Sequence, residues 1–276
     1  VYSQPPRKAN RGQKIKPSDV ELFSKKNSIN VRTPIKLDSE EEYNFIKNLN
    51  PDIVVVIAYG KIIPKKFLNL AKQGFINVHA SLLPKWRGAA PIQRSIMNLD
   101  NETGVSIMKI TEDLDTGPVM HQAKISINQN TDAKILAKVL SQLGAKTLLD
   151  SINKIANGTA KFKEQDHSVA TYAKKISKAE GKIQWNVSAK KILAKINGLN
   201  PNPGAWFQYK EERFKIWKAK VTNGNGEPGK TLDDKLTIAC KEGSIKILEI
   251  QKEGKSRQEV DQFLLGNKIK QGKNIV

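Results

Sequence analysis

Two polar residues stand at alternating positions in a short apolar run, Asn77 and His79 within Gly74-Phe75-Ile76-Asn77-Val78-His79-Ala80. In an extended segment that spacing puts both side chains on one face. A buried parallel strand reads as nearly continuous apolar sequence, so polar groups near its end point into the crevice beyond the sheet. An amide donor beside an imidazole at a strand end is what a developing oxyanion needs. A third residue of interest, Asp115, lies in the acidic loop Thr111-Glu112-Asp113-Leu114-Asp115-Thr116-Gly117-Pro118, after a predicted strand at 104–110 that could neighbour the Asn77 strand. On the residues alone two readings stay open: oxyanion chemistry, or a polar cap on a core strand with Asp115 as an Asx-turn residue. Directly after His79, Ser81-Leu82-Leu83-Pro84 leaves the sheet as a loop, because proline cannot continue a ladder.

The elements that must position these residues read as alternating helix and strand. Residues 1–3 resemble the end of a strand, and a basic stretch comes next, Arg7-Lys8-Ala9-Asn10-Arg11-Gly12-Gln13-Lys14-Ile15-Lys16. It is predicted to be a mobile loop, either simply solvated or gripping phosphates. Ser18 is the expected N-cap of a first helix, residues 29–33 a short strand, and Ser39-Glu40-Glu41-Glu42 the start of a second helix. The plainest buried strand is 52–58, followed by a short helix at 65–71. Past the central stretch come a helix at 90–99, strands at 104–110 and 119–127, and a long amphipathic helix at 131–157 ended by Gly158. This alternation argues for a doubly wound, mostly parallel Rossmann-like α/β domain over residues 1–158.

Residues 159–177 are polar, lack periodicity and read as a linker. From 178 to 276 the pattern changes: a short helix at 188–196, then strands at 205–209, 213–221, 236–240 and 244–251 with glycine-rich turns, as in a small antiparallel OB-like β-barrel. Between positions 161 and 220 there are 14 Lys and Arg against 5 Asp and Glu. They are interleaved with Trp185, Trp206, Phe207, Tyr209, Phe214 and Trp217, either a nucleic-acid surface or a barrel core with a basic exterior. Gly224-Asn225-Gly226-Glu227-Pro228-Gly229-Lys230-Thr231 fits the phosphate-loop pattern. A helix should come directly after such a loop, whereas the next residues read as another turn and a strand; Pro228 also deletes an amide from the cradle. A loop between strands is the expectation.

Composition limits the function classes. The formal net charge is +20 over 276 residues, which favours a polyanionic partner, nucleic acid before membrane. The longest apolar run, 53–58, is far too short to span a bilayer, and the 38% hydrophobic content is that of a soluble globular protein. Cys240 is the single cysteine, which excludes an internal disulfide and fits a reducing, cytoplasmic location. With three histidines and one cysteine, no metal site is expected.

The run from Asn77 to Pro91, Asn-Val-His-Ala-Ser-Leu-Leu-Pro-Lys-Trp-Arg-Gly-Ala-Ala-Pro, with Asp113-Leu114-Asp115-Thr116-Gly117 after it, resembles the folate-dependent formyltransferases. The Asn-x-His and Ser-Leu-Leu-Pro pair belongs to that group as a whole. The Trp86-Arg87-Gly88-Ala89-Ala90-Pro91 extension, the basic loop and the basic second domain point to its methionyl-tRNA branch. The likeness runs along essentially the whole chain, including Gln4-Pro5-Pro6-Arg7 and Asn202-Pro203-Gly204-Ala205. It implies transfer of a formyl group from 10-formyltetrahydrofolate to the α-amino group of methionine on initiator tRNA, without a metal. It implies that Asn77 and His79 stabilise the oxyanion and that Asp115 pairs with His79 and accepts the amine proton. Ser81, Leu82, Leu83 and Pro84 would line the folate site; Arg7, Lys8, Arg11 and Lys14 would hold the tRNA; the protein would be a monomer.

Two departures from the family pattern stand out. Asn10 replaces a usual glycine beside Arg11, a modest change because asparagine tolerates left-handed backbone. The chain also begins past the family's first strand and helix, including a Gly-Thr-Pro-x-Phe loop beside the folate. Loss of a central strand implies a chain that is weakly stable and inactive as it stands. The alternatives are a formyltransferase for a small amine, and a tRNA-binding protein without catalysis.

Overall fold

The computed structural model describes residues 1–9 and 14–276. In chain order they form strands β1 (Arg7–Ala9) and β2 (Lys14–Lys16), helices α1 (Asp19–Lys26) and α2 (Glu40–Leu49), β3 (Val54–Val56), α3 (Lys65–Leu68), β4 (Phe75–His79), β5 (Arg87–Gly88), α4 (Pro91–Met97), β6 (Glu102–Lys109), β7 (Val119–Ser126) and α5 (Ala133–Ala156). The remainder forms β8 (Tyr172–Ala173), α6 (Ala189–Gly198), β9 (Ala205–Tyr209), β10 (Glu212–Thr222), β11 (Thr237–Ala239), β12 (Ser244–Lys252), β13 (Gln258–Glu259) and α7 (Val260–Gly266). Two compact units result: residues 1–79, 106–122 and 147–168, and residues 80–105, 123–146 and 169–276. Among the described residues no helix is long and apolar enough to cross a membrane.

In the first unit local chemistry sets the helices. Ser18 caps α1 by accepting from the Glu21 amide at 3.0 Å, and Ser39 caps α2 by accepting from Glu42 at 3.3 Å. Both helices carry acids in the first turn and lysine in the last, complementing the helix dipole. The sheet order is β3-β4-β6-β7, and the sheet is mixed: β3 and β4 run parallel, whereas β6 is antiparallel to β4. Both faces of β4 are covered. Phe75 packs with Leu37, Ile46, Phe67 and Ala71, while Ile76 and its neighbour Ile107 pack on Leu148 and Ile155 of α5. Burying each such isoleucine fully contributes about 1.5–3 kcal/mol.

Three expectations need adjusting in this unit. The basic stretch expected to be a mobile loop has paired flanks, with Arg7 opposite Lys16, Lys8 opposite Ile15 and Ala9 opposite Lys14. The strand expected at 29–33 shrinks to one parallel bridge between Tyr2 and Arg32. There the Arg32 backbone bonds to Val1 and Ser3, and its guanidinium donates to Glu41 and Glu42. The polar 159–177 segment holds order of its own: Lys163 and Val119 exchange both backbone hydrogen bonds, at 2.8 and 2.9 Å.

In the second unit β11-β12-β10-β9, with β13 on β12, form a five-stranded antiparallel sheet curled around one core, as in an OB-like domain. Phe207, Phe214, Ile216, Ile247 and Ile250 fill it, with Ile192 and Ile196 from α6 and Phe263 from α7. Sequence reading missed α7. Lys210 and Glu211, at φ +49° and +64°, make the two-residue turn between β9 and β10, in the geometry of a type I′ hairpin. Residues 224–231 are a loop between β10 and β11, with Lys230 ion-paired to Glu227 at 3.3 Å and no helix directly after it.

Candidate active site

Strand β4 delivers the two polar residues in the predicted alternation. On its antiparallel side Asn77 faces Met108 and His79 faces Ser106, both partners fully buried. Residues directly opposite across a ladder share a face, so Asn77, His79, Ser106 and Met108 line one side of the sheet. The Gln122 amide donates to the Ser106 hydroxyl at 2.9 Å. The other side is the apolar packing of Ile76 and Ile107 on α5. Phe75 packs on the same side as Asn77 and His79, so the polar pair takes the far end of a face whose start is core.

Asp115 reaches the same place from the loop between β6 and β7. Its Oδ2 lies 3.6 Å from Nδ1 of His79, and the two side chains are only 14% and 6% exposed. In so little water an ion pair is attenuated far less than at the surface. Three features hold the loop. Asp115 has φ +53°, a left-handed conformation that aspartate tolerates better than most residues. Gly117 sits where any Cβ would lie 2.0 Å from the Lys109 carbonyl oxygen, so only glycine fits. The Gln165 side-chain amide donates to the carbonyls of Asp115 at 2.9 Å and of Gly117 at 2.7 Å.

Ser81 to Pro84 continue the chain two residues beyond His79 and belong to the second unit. Ser81 and Leu83 are buried, Leu82 and Pro84 half-buried. The Ser81 hydroxyl donates to the Lys85 carbonyl at 2.6 Å, and the Lys85 amide donates to the Leu82 carbonyl at 3.1 Å, closing a compact turn. The next residues are fixed too. Trp86 Nε1 donates to Asp100 at 2.7 Å, its backbone amide donates to Thr171 Oγ1 at 2.9 Å, and Arg87 is fully buried.

The predicted basic group is only partly within view. Arg7, Lys8 and Lys14 are exposed on the β1–β2 ribbon, and Arg11 lies outside the described residues. By strand alternation Arg7, Lys14 and Lys16 share one face and Lys8 the other. Arg7 directly opposes Lys16, a like-charge pairing that opposes sheet formation unless an anion lies across it. In the second unit the aromatics divide. Trp185, Phe207 and Phe214 are core, while Trp206 and Trp217 are half-buried and carry cations: Arg213 lies 4.1 Å from the Trp206 ring centre, Lys215 and Arg257 each 5.5 Å from that of Trp217. Burial, with Arg213 nearby, holds the Lys215 ammonium below the usual lysine range.

Sequence reasoning missed Gln165, Ser106 and Gln122. Ser106 had a legible signal, a lone small hydroxyl two positions before Met108 in an apolar strand. Gln165 had none, lying fifty positions from the loop it touches.

Comparisons with known proteins bear on the family and the fold. Residues 1–152 match the formyl transferase family model and residues 175–268 the formyl transferase C-terminal domain. The chain is 52% identical over 277 residues to a methionyl-tRNA formyltransferase of Pelagibacter ubique, covering 100% of this chain and 89% of that one. It is 42% identical over 272 residues to one of Jannaschia sp., covering 99% and 89%. Among solved structures, an N-formyltransferase from Helicobacter canadensis in complex with folinic acid and dTDP-3-aminofucose superposes with TM-score 0.68 at 21% identity, over 91% of this chain and 87% of that one. HypX from Aquifex aeolicus with tetrahydrofolic acid gives 0.65 at 18%, over 88% and 43%. At those identities the structures speak for the fold alone.

Proposed function

The chain belongs to the formyl transferase family, alongside the methionyl-tRNA formyltransferases, and from that premise we propose that it formylates the α-amino group of methionine on initiator tRNA with 10-formyltetrahydrofolate as donor. It is a formyl-transferring enzyme. The observation that carries the site assignment is the enclosed His79–Asp115 pair, 3.6 Å apart, on the strand face that also bears Asn77.

In the proposed reaction the neutral amine attacks the formyl carbon and the carbonyl π electrons move to oxygen. Asn77 donates an N–H to that oxygen, and His79, as imidazolium, adds a charge-assisted hydrogen bond. Asp115 holds the imidazolium in place and takes the amine proton, directly or through a water. As the carbon–nitrogen bond to the donor breaks, the proton passes to the leaving nitrogen and the carbonyl re-forms. Ser81, Leu82, Leu83 and Pro84 are proposed to flank the donor, since the chain delivers them straight from the end of β4.

The tRNA as acceptor is supported by the identity to tRNA-directed relatives over the full chain and by the facing cations of the β1–β2 ribbon. Arg7, Lys8, Arg11 and Lys14 are the proposed phosphate contacts. A monomeric, cytoplasmic enzyme with a catalytic domain at 1–158, a linker at 159–177 and a tRNA-binding domain at 178–276 completes the proposal.

The test is transfer of labelled formyl from 10-formyltetrahydrofolate to charged initiator tRNA, compared with small amines such as an aminosugar nucleotide. Transfer to the tRNA, lost in His79→Ala, is the expected result. Transfer only to a small amine overturns the acceptor, and tRNA binding with no transfer to either overturns the catalytic assignment.

A further inference from the structure

We propose that Gln165 is a positioning residue for formyl transfer: its buried side-chain amide clasps the loop that carries Asp115 and so fixes that carboxylate against His79. This rests on the formyl-transfer reading of the site. The clasp is visible in the hydrogen bonds. One side-chain nitrogen, on a residue only 7% exposed, donates to two carbonyls, Asp115 at 2.9 Å and Gly117 at 2.7 Å. A primary amide carries two N–H donors, one for each carbonyl. Those carbonyls flank Thr116 in a turn whose backbone departs from a regular hairpin, with Asp115 at φ +53°. An apolar side chain of the same size would fill the space and remove both of these hydrogen bonds.

The placement of Gln165 has a cause of its own. Two residues earlier, Lys163 forms an antiparallel bridge with Val119, which stands two residues after Gly117. That bridge brings the following residues beside the loop base, where the Gln165 side chain is buried while Lys163 stays exposed. The strand-like segment therefore anchors one end of the acidic loop through its backbone and the other through one side chain. Asp115 acts on the reaction directly and Gln165 through it.

Two variants separate positioning from mere stability. Gln165→Ala removes the donors. Gln165→Glu keeps the volume and, as a carboxylate, only accepts, so it breaks the clasp without a cavity. Both are expected to lower kcat about 10- to 100-fold, with KM for donor and tRNA within about threefold. In Gln165→Glu the ratio of variant to parent rate should recover in part as pH falls, because the protonated carboxyl regains one of the two donors, while in Gln165→Ala it stays flat. On an Asp115→Asn background Gln165→Ala should cost less than about threefold more, since the residue acts through Asp115. An unchanged kcat, or an equal loss with and without the Asp115 carboxylate, overturns the proposal. Hydrogen exchange gives an independent reading: amides 111–117 should exchange faster in Gln165→Ala while those of β4 stay protected. If the parent protein transfers no formyl group, the formyl-transfer reading fails, and unchanged exchange at 111–117 would then sink the clasp separately.

Discussion

The role proposed for Asn77 depends on a pleated strand that gives it one face and Ile76 the other. The same backbone that buries Ile76 against α5 holds the Asn77 amide on the side of His79 and Ser106. A donor fixed in this way needs no reorganisation when negative charge develops, and losing one such donor costs about 10²–10³ in kcat. Asn77→Ala is thus expected to lower kcat by that amount with little change in KM for the folate, in steady-state formylation assays. An equal rise in KM would mean that the amide binds the ground state. Asp115→Asn keeps the size and removes the charge and the proposed proton acceptor, so the same assays are expected to show a loss of about 10²–10⁴ in kcat. At this scale the sequence was legible wherever periodicity alone decides direction, as for Asn77 and His79. The meeting of Asp115 with His79 depends on a left-handed φ and on the glycine at 117, which no alternation predicts.

Element by element, what local chemistry dictates was readable and what a distant interaction dictates was not. Ser18 caps the helix expected of it, and Ser39 and Ser188, where two further helices were expected to begin, are their caps. The strand at 29–33 is reduced to one bridge, in which the Arg32 amide donates to Val1 at 2.9 Å and its carbonyl accepts from Ser3 at 3.0 Å. The Arg32 side chain serves α2: Nε donates to Glu42 at 2.9 Å and Nη2 to the other Glu42 oxygen at 2.7 Å, with Tyr2 donating to the same carboxylate at 2.6 Å. The Arg32 hydrogen bonds hold the Glu42 carboxyl below the usual carboxylate range. A carboxyl depressed in the folded state stabilises above its unfolded pKa, and that contribution fades as pH falls through the folded value. Glu42→Gln is therefore expected to destabilise by about 2 kcal/mol at pH 7, the worth of hydrogen bonds to a charged group, and by much less near pH 3. Urea titrations of the parent and the variant at both pH values would check this, and a pH-independent difference would refute it. A second element-level prediction concerns the β9–β10 turn. Lys210 and Glu211 both occupy positive φ, where Asn-Gly is the favoured pair. Replacing them by Asn and Gly should stabilise the second unit by about 1 kcal/mol, seen as a rise in Tm.

For the whole molecule the question is what a net charge of +20 does. Spread evenly, it would only keep the protein soluble and raise its encounter rate with any polyanion. The β1–β2 ribbon argues for a more local role, because Arg7 and Lys16 face each other across a two-stranded ladder, a structure that is marginal by itself in water. A bare ribbon with that pairing is held against its own repulsion, and a phosphate backbone laid along the face of Arg7, Lys14 and Lys16 would turn the repulsion into attraction. Each phosphate so neutralised releases condensed counterions, so affinity falls with salt in proportion to the number of phosphates engaged. Exchanging Arg7, Lys14 and Lys16 together for alanine is then expected to weaken initiator tRNA binding and to flatten the slope of log K against log salt by about 0.7–0.9 for every phosphate no longer neutralised. The rate at saturating tRNA should change little, since none of the three lies on the strand that holds Asn77 and His79. Filter-binding titrations between low and physiological salt would measure the slope. If it stayed that of the parent, the ribbon would be a solvated surface, and the phosphate contacts would lie elsewhere among the chain's 47 Lys and Arg.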